Sequence, residues 1–503
     1  MANLIFIQDI AYEYMGIMHI SAYLKKHHHE CDVLVEVHEK DLFKKLEKIQ
    51  PDIIGFSTLS GSFKWALNLS VKLKKQFPDI PIIFGGVHVY SNPASVIKWD
   101  SIDIICTGEG EIAVKELCDS LDLGKIDTQI EGLWFKGPDG DIIKNPMRKL
   151  IEDLDALPFP DRQIYWKYPG IETRNLLPVL GSRGCPYTCA YCFIPKAKEI
   201  FEGQGKFVRQ RSAENIIQEI EQCVKMSPKK SVVHFVEDHF GNNRTRTLQV
   251  LNKLSSLKPK VRWAGSIRIE RFVEEKYVAE LSKTNHFTLG LAVECGNEEY
   301  RNTVLNREVK NADIIKSAQL CNKYGIRFVT LNMIGLPGET YEMALETLEM
   351  NILLNPEYAN CYVYQPYAET KLKDYGVEHQ FYTESVADEL GFSFYDRYNK
   401  DDKELQKVIN LQRVFGLIIA FPILKKPLLW LTKKSWSKKL ADGLFGIYYL
   451  FYLIKYYNIN LKQLIQYIQL WIQSQYLTHV NPVSETIAQG KAQFYTTREK
   501  SNI

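Results

Sequence analysis

The sequence lacks a long hydrophobic run, a strong excess of charge of either sign, and any repeat or low-complexity tract. Two apolar runs near the C-terminus, 414–424 and 443–454, are shorter than the ~20 residues that a membrane-spanning helix needs. The formal net charge is only +3, so no nucleic-acid partner is expected from overall charge. Residues 1–8 read as a short strand without a basic leader, which predicts a cytoplasmic protein.

Cysteine is dispersed along the chain except at one place. Three of the ten cysteines, Cys185, Cys189 and Cys192, lie within the stretch 181–192. Close thiols are a disulfide fragment, a metal site or coincidence, and in a reducing cytosol disulfides are rare. A compact loop can wrap three thiolates around an iron–sulfur cluster and leave one iron without a protein ligand. The spacing therefore favours a cluster with an open coordination site.

The first part of the chain, residues 1–128, alternates short apolar runs with amphipathic segments. The predicted strands are 4–7, 33–35, 53–57, 82–84 and 102–106. The predicted helices are 17–26, 41–49, 63–76 and 111–120. This alternation predicts a parallel, doubly wound sheet that binds ligands beyond the carboxyl ends of its strands.

A second β/α series is predicted over residues 173–395. It is preceded, over 129–172, by an alternating stretch around Gly137–Gly140, which predicts a hairpin, and by a proline-bearing segment interpreted as a linker. Strands are expected at 178–180, 232–236, 262–264, 288–293, 328–334 and 361–364. Six units are fewer than the eight of a closed barrel, so the pattern predicts a partial (β/α)6 barrel. The cysteine loop follows its first strand.

The last segment, residues 396–503, is expected to be mostly helical. Basic and tryptophan residues lie between its two apolar runs, namely Lys425, Lys426, Trp430, Lys433, Lys434, Trp436, Lys438 and Lys439. One interpretation is a helical domain that docks its apolar faces on the barrel and leaves its lysines in water. The alternative is a surface that lies in a membrane interface, as a peripheral contact.

Together these features resemble the radical S-adenosylmethionine enzymes with an N-terminal cobalamin-binding domain, over about residues 1–400. Cys185, Cys189 and Cys192, with Tyr191 before the third cysteine, match the cluster-binding loop of that family. The resemblance implies a 4Fe-4S cluster whose fourth iron is chelated by S-adenosylmethionine. It also implies reductive cleavage of S-adenosylmethionine to a 5′-deoxyadenosyl radical, with electrons from an external donor such as flavodoxin or ferredoxin.

The resemblance extends to residues expected to contact S-adenosylmethionine. Motifs after successive strands match at 236–240, 266–268, 290–296 and 332–339. The predicted contacts are Tyr191, Glu237, Arg268, Glu294 and Asn332. For any single acid among them, a helix cap or a surface ion pair is an equal alternative. No catalytic residue is predicted beyond the cluster ligands.

The N-terminal domain resembles a cobalamin domain, with one departure. The predicted contacts are Gly16, Ser57, Ser60, Gly85, Gly86, Gly108 and Glu109. The family motif carries a histidine that ligates cobalt from below, and Ala11 stands in its place here. His88 is a poor substitute, since it lies in the turn expected to cradle the nucleotide tail. The alternatives are cobalamin bound without a protein imidazole, or the fold without cobalamin.

The leading functional hypothesis is cobalamin-dependent radical methylation of an unactivated carbon, with cyclisation or rearrangement as related outcomes. The substrate is expected to be a small or lipid-like molecule. The runner-up is a radical enzyme without functional cobalamin, such as a methylthiotransferase that modifies RNA. Against it, Cys31, Cys106 and Cys118 are scattered rather than grouped in loops at strand ends. A cobalamin- or redox-sensing binding protein would not explain the barrel and its cluster loop.

Overall fold

A computed structural model describes residues 1–137, 139–172, 174–384, 403–434, 438–457 and 465. The chain forms two compact units. Among the described residues, unit 1 contains 1–137, 139–146 and 162–172, and unit 2 contains 147–161, 174–384, 403–434 and 438–457. Each unit is organised around its own parallel sheet.

Unit 1 contains a seven-stranded sheet in the order β2-β1-β3-β4-β5-β6-β7. The strands are β1 (Asn3–Gln8), β2 (Glu30–Val35), β3 (Ile53–Ser57), β4 (Ile82–Gly85), β5 (Ile104–Cys106), β6 (Leu133–Lys136) and β7 (Ile142–Lys144). The first five are parallel, and β6 and β7 add the predicted hairpin in antiparallel pairing. The doubly wound sheet is therefore confirmed, and its order reverses between β1 and β3, where such folds bind ligands.

The longer helices of unit 1 pack on the sheet through their apolar faces. They are α1 (Met15–Lys26), α2 (Leu42–Ile49), α3 (Ser60–Gln76), α4 (Val87–Ser91), α5 (Pro93–Ile97), α6 (Gly110–Asp122), α7 (Gln163–Trp166) and α8 (Pro169–Glu172). The core includes the stacked rings of Phe56 and Phe84, with centroids 4.8 Å apart. Leu73 of α3 packs into the same core and is fully buried.

Helix α7 and the residues after it are packed within unit 1, although their sequence resembles a linker. The Tyr165 hydroxyl donates to Gln8 Oε1 at 2.6 Å, and Trp166 Nε1 donates to Glu13 Oε1 at 3.0 Å. The Tyr168 hydroxyl donates to the Val33 carbonyl at 3.1 Å. Prolines indicated an unpacked connection here, but three buried aromatic side chains outweigh them. The predicted domain boundaries themselves stay predictions.

Unit 2 contains a six-stranded parallel sheet in the order β15-β14-β13-β12-β11-β8, beside a two-stranded sheet of β9 and β10. The strands are β8 (Leu176–Val179), β9 (Ser182–Arg183), β10 (Arg209–Gln210), β11 (Val232–Phe235), β12 (Arg262–Arg268), β13 (His286–Glu294), β14 (Phe328–Ile334) and β15 (Tyr358–Val363). Apart from the small sheet, neighbouring strands follow one another along the chain. This order agrees with the predicted six-unit partial barrel, whose outer strands are β8 and β15.

Helices follow most of these strands. They are α9 (Ile194–Ile200), α10 (Ala213–Met226), α11 (Arg244–Ser255), α12 (Glu275–Ser282), α13 (Glu298–Thr303), α14 (Asn311–Lys323), α15 (Tyr341–Leu354), α16 (Lys371–Glu378), α17 (Lys403–Ala420), α18 (Lys425–Thr432) and α19 (Lys438–Tyr457). Side chains cap several of them: Ser212 accepts from the Asn215 amide ahead of α10, and Thr340 accepts from the Met343 amide ahead of α15.

Helix α17, the first helix of the C-terminal segment, docks on the barrel. This agrees with the interpretation of the segment as a helical domain packed on the barrel. Leu411 and Phe415 are fully buried against α15 and β15. Gln412 Nε2 donates to the Cys361 carbonyl at 2.8 Å. Within the described helices, none combines the length and apolar character needed to cross a bilayer. Trp430 is 57% exposed, and peripheral membrane contact stays a prediction. Trp436 and the side chains of Lys438 and Lys439 lie outside the described part.

The turn after β14 contains a buried carboxyl that makes stability depend on pH. The amides of Gly335 and Leu336 donate to Glu339 Oε2, whereas Oε1 is buried without a hydrogen-bond partner. Burial raises the pKa of Glu339 from 4.5 to about 8, against the lowering effect of these amides. Between these values the folded protein keeps a proton that the unfolded chain has released. The stability that the protonated Glu339 carboxyl contributes is therefore fully present below pH 4.5, and it is lost as the pH rises through about 8.

We expect the free energy of unfolding to fall between pH 5 and 8 by up to about 1.4 kcal/mol per pH unit through this group. Glu339→Gln should flatten that slope, because the amide cannot ionise. Urea denaturation at several pH values measures it. Glu349→Gln, at an exposed position on α15, is the control and should keep the parental slope. An unchanged slope in the Glu339 variant would contradict the assignment.

Candidate active site

The cysteine loop follows β8 and begins at β9. Gly184, directly before Cys185, has φ +83°, and a Cβ there would lie 2.5 Å from the Phe207 carbonyl oxygen. Only glycine allows this close approach. The Cys192 amide donates to the Cys189 carbonyl at 3.1 Å, which folds the second half of the loop back on itself. Cys189 is buried, and Cys185 and Cys192 are partly exposed.

The spacing of the three thiols matches the cluster-binding loop of the radical S-adenosylmethionine enzymes. In a four-iron cluster each thiolate binds a different iron, so the ligands surround a larger core. Burial raises the pKa of Cys192 to about 12. A coordinating metal deprotonates a thiol outright, so iron would supply the charge that favours the thiolate here.

Two neighbouring acids after β11 accept hydrogen bonds from the first residues of the loop. The Gly184 amide donates to Asp238 Oδ2 at 2.8 Å, directly beside the first cysteine. Ser182 donates its hydroxyl to Glu237 Oε2. Burial raises the pKa of both carboxyls. Glu237 was predicted from the motif, whereas Asp238 was not singled out, although it lies in the same acidic stretch.

Arg268 joins the end of β12 to the cysteine loop. Its Nη1 lies 3.3 Å from Cys189 Sγ, and its guanidinium carbon lies 3.8 Å from the centroid of the Tyr187 ring. Its Nε donates to Glu270. A cation beside a thiolate and over an aromatic face stabilises the anionic form of the loop. The predicted contact of Arg268 with S-adenosylmethionine stays a prediction.

Glu294 is the centre of a buried charge network. Its Oε1 accepts hydrogen bonds from the Tyr191 hydroxyl at 2.8 Å and from Arg307 Nη1 at 3.0 Å. Arg307 Nη2 also donates to the Ala292 carbonyl at 2.7 Å and lies 3.5 Å from Glu270 Oε2. The Arg307 side chain is only 3% exposed. Sequence reasoning missed Arg307 because it lies in the loop after α13, outside every strand-end motif.

The backbone at Glu294 is strained. Its φ is +69°, and the register between β13 and β14 shifts between Ala292 and Glu294, as at a β-bulge. A non-glycine residue in this region costs on the order of 1 kcal/mol. Such bulges re-aim a side chain next to active sites. The hydrogen bonds from Tyr191 and Arg307 offset that cost and hold the carboxylate at the cysteine loop.

Asn332, the fifth predicted contact, is not among the residues that reach the cysteine loop. It is 1% exposed, on the face of β14 opposite Leu331, and its Nδ2 donates to the Asn360 carbonyl at 2.9 Å. Asn351 on α15 donates to its Oδ1 at 2.7 Å. The structure thus brings Tyr191, Arg268 and Glu294 to the cysteine loop, and Glu237 accepts a hydrogen bond at its start. Asn332 belongs to a polar network between the sheet and α15.

In unit 1, the predicted cobalamin residues of β3 and β4 form a tight cradle. Gly86 has φ +96°, and a Cβ there would lie 2.6 Å from the Thr58 carbonyl oxygen. The Thr58 amide donates to the Gly85 carbonyl at 2.8 Å, and His88 Nδ1 lies 3.3 Å from Ser60 Oγ. Burial lowers the pKa of His88 to about 4, so its ring is neutral. Ser57 ends β3 at the same edge.

The other predicted cobalamin contacts are less closely grouped. Gly16 lies in the first turn of α1 with open space around it, and Gly108 and Glu109 lead into α6. At the ends of β1 and β3, Tyr12 is 47% and Leu59 is 51% exposed. Exposed apolar side chains beside a glycine cradle suit a large, flat macrocycle, so these residues fit cobalamin. Ala11 is buried at the position of the family histidine.

Comparison with known proteins supports both the cysteine loop of unit 2 and the cobalamin-type fold of unit 1. Residues 11–118 match the model of the B12 binding domain, and residues 179–350 match that of the radical SAM superfamily. The chain is 25% identical over 342 residues to an uncharacterised methyltransferase of Pyrococcus horikoshii, covering 67% of this chain and 72% of that protein. It is 26% identical over 372 residues to the anaerobic magnesium-protoporphyrin IX monomethyl ester cyclase of Rubrivivax gelatinosus, covering 70% of this chain and 64% of the cyclase.

Two solved structures share the fold. The cobalamin-dependent S-adenosylmethionine radical enzyme OxsB superposes with a TM-score of 0.65 at 15% identity, over 96% of this chain and 76% of OxsB. The radical S-adenosylmethionine methyltransferase TsrM from Kitasatospora setae superposes with a TM-score of 0.60 at 16% identity, over 75% of this chain and 74% of TsrM. At these identities the likeness shows the fold alone.

The cluster loop on a partial barrel, with a separate doubly wound unit, defines the class of radical S-adenosylmethionine enzymes that carry a B12-binding domain. This chain belongs to that class. The class uses a 4Fe-4S cluster, S-adenosylmethionine and cobalamin, so the predicted cofactor set is confirmed at the level of the class. The residue assignments within each site remain predictions.

Arg307→Met should destabilise unit 2, because it removes the buried cation that pairs with the Glu294 carboxylate, whereas Glu270 keeps its pair with Arg268. Removing one partner of a buried ion pair costs about 3–5 kcal/mol. Arg327→Met, in a pair with Glu357 whose side chains are 42% and 32% exposed, is the control and should cost less than about 1 kcal/mol. Urea denaturation compares the two. Equal losses would show that Arg307 does not hold the network together.

Proposed function

We propose that this protein is a cobalamin-dependent radical S-adenosylmethionine methyltransferase that acts on an unactivated carbon of an organic substrate. The observation that carries the proposal is the connection between the three-thiol loop and Glu294, made through Tyr191 and Arg307, in a chain that also has a cobalamin cradle. When bound, the cluster with S-adenosylmethionine supplies a 5′-deoxyadenosyl radical, and cobalamin supplies a transferable methyl group.

The chain's own residues would position these groups. Cys185, Cys189 and Cys192 would hold three irons. Arg268, next to Cys189, would balance thiolate charge, and Glu294 would accept hydrogen bonds from the S-adenosylmethionine amino or ribose groups. Arg307, which is buried, and Tyr191, which is partly buried, would hold the Glu294 carboxylate in place beside the loop. An external electron donor, such as flavodoxin or ferredoxin, is part of the proposal.

Cyclisation is a second outcome that the same radical could have, and a cyclase is among the relatives. The RNA-modifying alternative is less well supported. Cys31, Cys106 and Cys118 are all buried, on β2, β5 and α6 respectively. Burial raises the pKa of Cys118 to about 12, and it also raises that of Cys31. Separate buried thiols of this kind do not form the ligand set of a second cluster.

Cys189→Ala should abolish both the iron–sulfur absorbance and 5′-deoxyadenosine formation after anaerobic reconstitution with iron and sulfide. The reason is that it removes one of three ligands from the cluster. Dithionite reduction with S-adenosylmethionine, followed by chromatography of the products, provides the measurement. Cys321→Ala, which removes a buried thiol from α14, is the matched control and should retain both signals. Full activity in the Cys189 variant would rule out the radical mechanism.

Gly86→Ala should prevent retention of hydroxocobalamin on the desalted protein, because its Cβ would push the end of β4 away from Thr58. Gly124→Ala is the control: that residue also has positive φ, at +73°, but a Cβ would meet nothing within 4 Å. Both variants place alanine at a positive φ, but only Gly86→Ala would also disturb the contact with Thr58. A difference in cobalamin retention is therefore due to the cradle and not to backbone strain. Circular dichroism checks that both variants are folded. Equal retention of cobalamin by the two variants would remove the cradle from the proposal.

A further inference from the structure

The hollow of the six-stranded sheet contains a cavity of about 490 Å³. This volume is typical of small-molecule sites. Leu176, Phe287 and Tyr358, near the starts of their strands, line its lower part. Ser266 and Leu331 line its middle. The cavity therefore lies below the strand ends that hold the cluster loop.

The C-terminal helices supply one wall of the cavity. Phe445, Tyr448 and Tyr449 of α19 line it, at helical spacings that place them on one face. The Tyr448 ring stacks on Tyr358 of β15, with centroids 5.5 Å apart and planes at 14°. A Cβ on Gly416 of α17 would lie 2.5 Å from this ring, so glycine makes room for it. Helix α19 thus covers the barrel beside its edge strand β15.

The lining is neutral. Among the described residues around the cavity there is no Asp, Glu, Lys or Arg. His234 faces it, and burial lowers the pKa of this imidazole, which favours the uncharged ring. Thr288 Oγ1 is buried in the wall without a hydrogen-bond partner. An unsatisfied hydroxyl in the wall suits a ligand group that can bond to it once the Thr288 side chain rotates toward the cavity, whereas a charged ligand would be desolvated without a counter-ion.

Strand β12 carries residues of both the cavity and the candidate active site. Ser266 precedes Arg268 by two residues on β12, so their side chains project from the same face of the strand. Two residues of a strand span roughly 7 Å. Arg268 in turn touches Cys189. A molecule that fills the cavity and extends past Ser266 would present its end to the cluster loop.

We propose that this cavity binds the substrate, and that the substrate is a neutral, largely apolar or aromatic molecule with a hydrogen-bonding group that meets Thr288. The inference rests on the proposed function for the reaction, but the binding it describes needs neither the cluster nor cobalamin. The aromatic side chains of α19 that line the cavity favour a substrate with apolar surface. The absence of charge among the described lining residues selects against phosphates, carboxylates and nucleic acid.

Two fluorescent probes that differ by one charge test the proposal. N-phenyl-1-naphthylamine is neutral, and 1-anilinonaphthalene-8-sulfonate has the same ring skeleton with a sulfonate added. We expect one neutral probe per chain, bound at least 10-fold more tightly than the sulfonate. Leu331→Trp should weaken the neutral probe at least 10-fold by filling the cavity. Leu353→Trp, at an exposed position on α15, is the matched control and should not.

If Leu331→Trp fails to fold, Tyr448→Ala gives the second test, because it removes the stacked wall without changing a strand and should weaken the neutral probe severalfold. Equal affinity for the two probes, or no effect of either cavity variant, would overturn the cavity proposal. 5′-Deoxyadenosine formation by the reconstituted parent is measured alongside. If no 5′-deoxyadenosine forms but the neutral probe still binds, the proposed reaction is overturned and the cavity proposal stands. If 5′-deoxyadenosine forms but the neutral probe does not bind, only the cavity proposal is overturned.

Discussion

A buried guanidinium organises the candidate active site. Arg307 is almost without solvent contact, and it bridges Glu294, Glu270 and the Ala292 carbonyl. Burying a cation is costly unless its donors are satisfied, and the largely buried Glu294 carboxylate depends in turn on the charge of Arg307. The three groups therefore determine one another's positions. Because Glu294 also accepts from Tyr191, between the second and third cysteines, the network links the barrel strands to the loop that would hold the cluster.

This arrangement explains which parts of the site could be predicted from sequence. The three cysteines and the acid at 294 stand next to strand ends, and local spacing is enough to place them. Arg307 reaches the site from a loop between two helices, and no periodicity or motif indicates where its long side chain points. Asn332, in contrast, was predicted from its motif but does not reach the cysteine loop. Its motif position is at the end of β14, but alternation along the strand turns the side chain toward α15 and away from Leu331.

The fold was more predictable than the packing of its connections. Strand and helix periodicity predicted both sheets, because buried parallel strands read as short apolar runs between amphipathic helices. The segment after the hairpin was different. Its prolines indicated a linker, whereas Tyr165 and Tyr168 are buried through hydrogen bonds to side chains or backbone more than a hundred residues away. Such long-range burial leaves no local signal beyond the aromatic residues themselves.

Charge is segregated within unit 2, and this separation bears on radical chemistry. Ionised groups gather around the cysteine loop, where Arg268 and Arg307 are paired with Glu270 and Glu294. The described lining of the cavity below holds none. Apolar surroundings strengthen nearby fixed dipoles, and a substrate that fills the cavity would displace water from it. Helix α19 contributes to that cavity by placing aromatic rings beside the edge strand β15, so the C-terminal segment would act on substrate choice and the cysteine loop on radical formation.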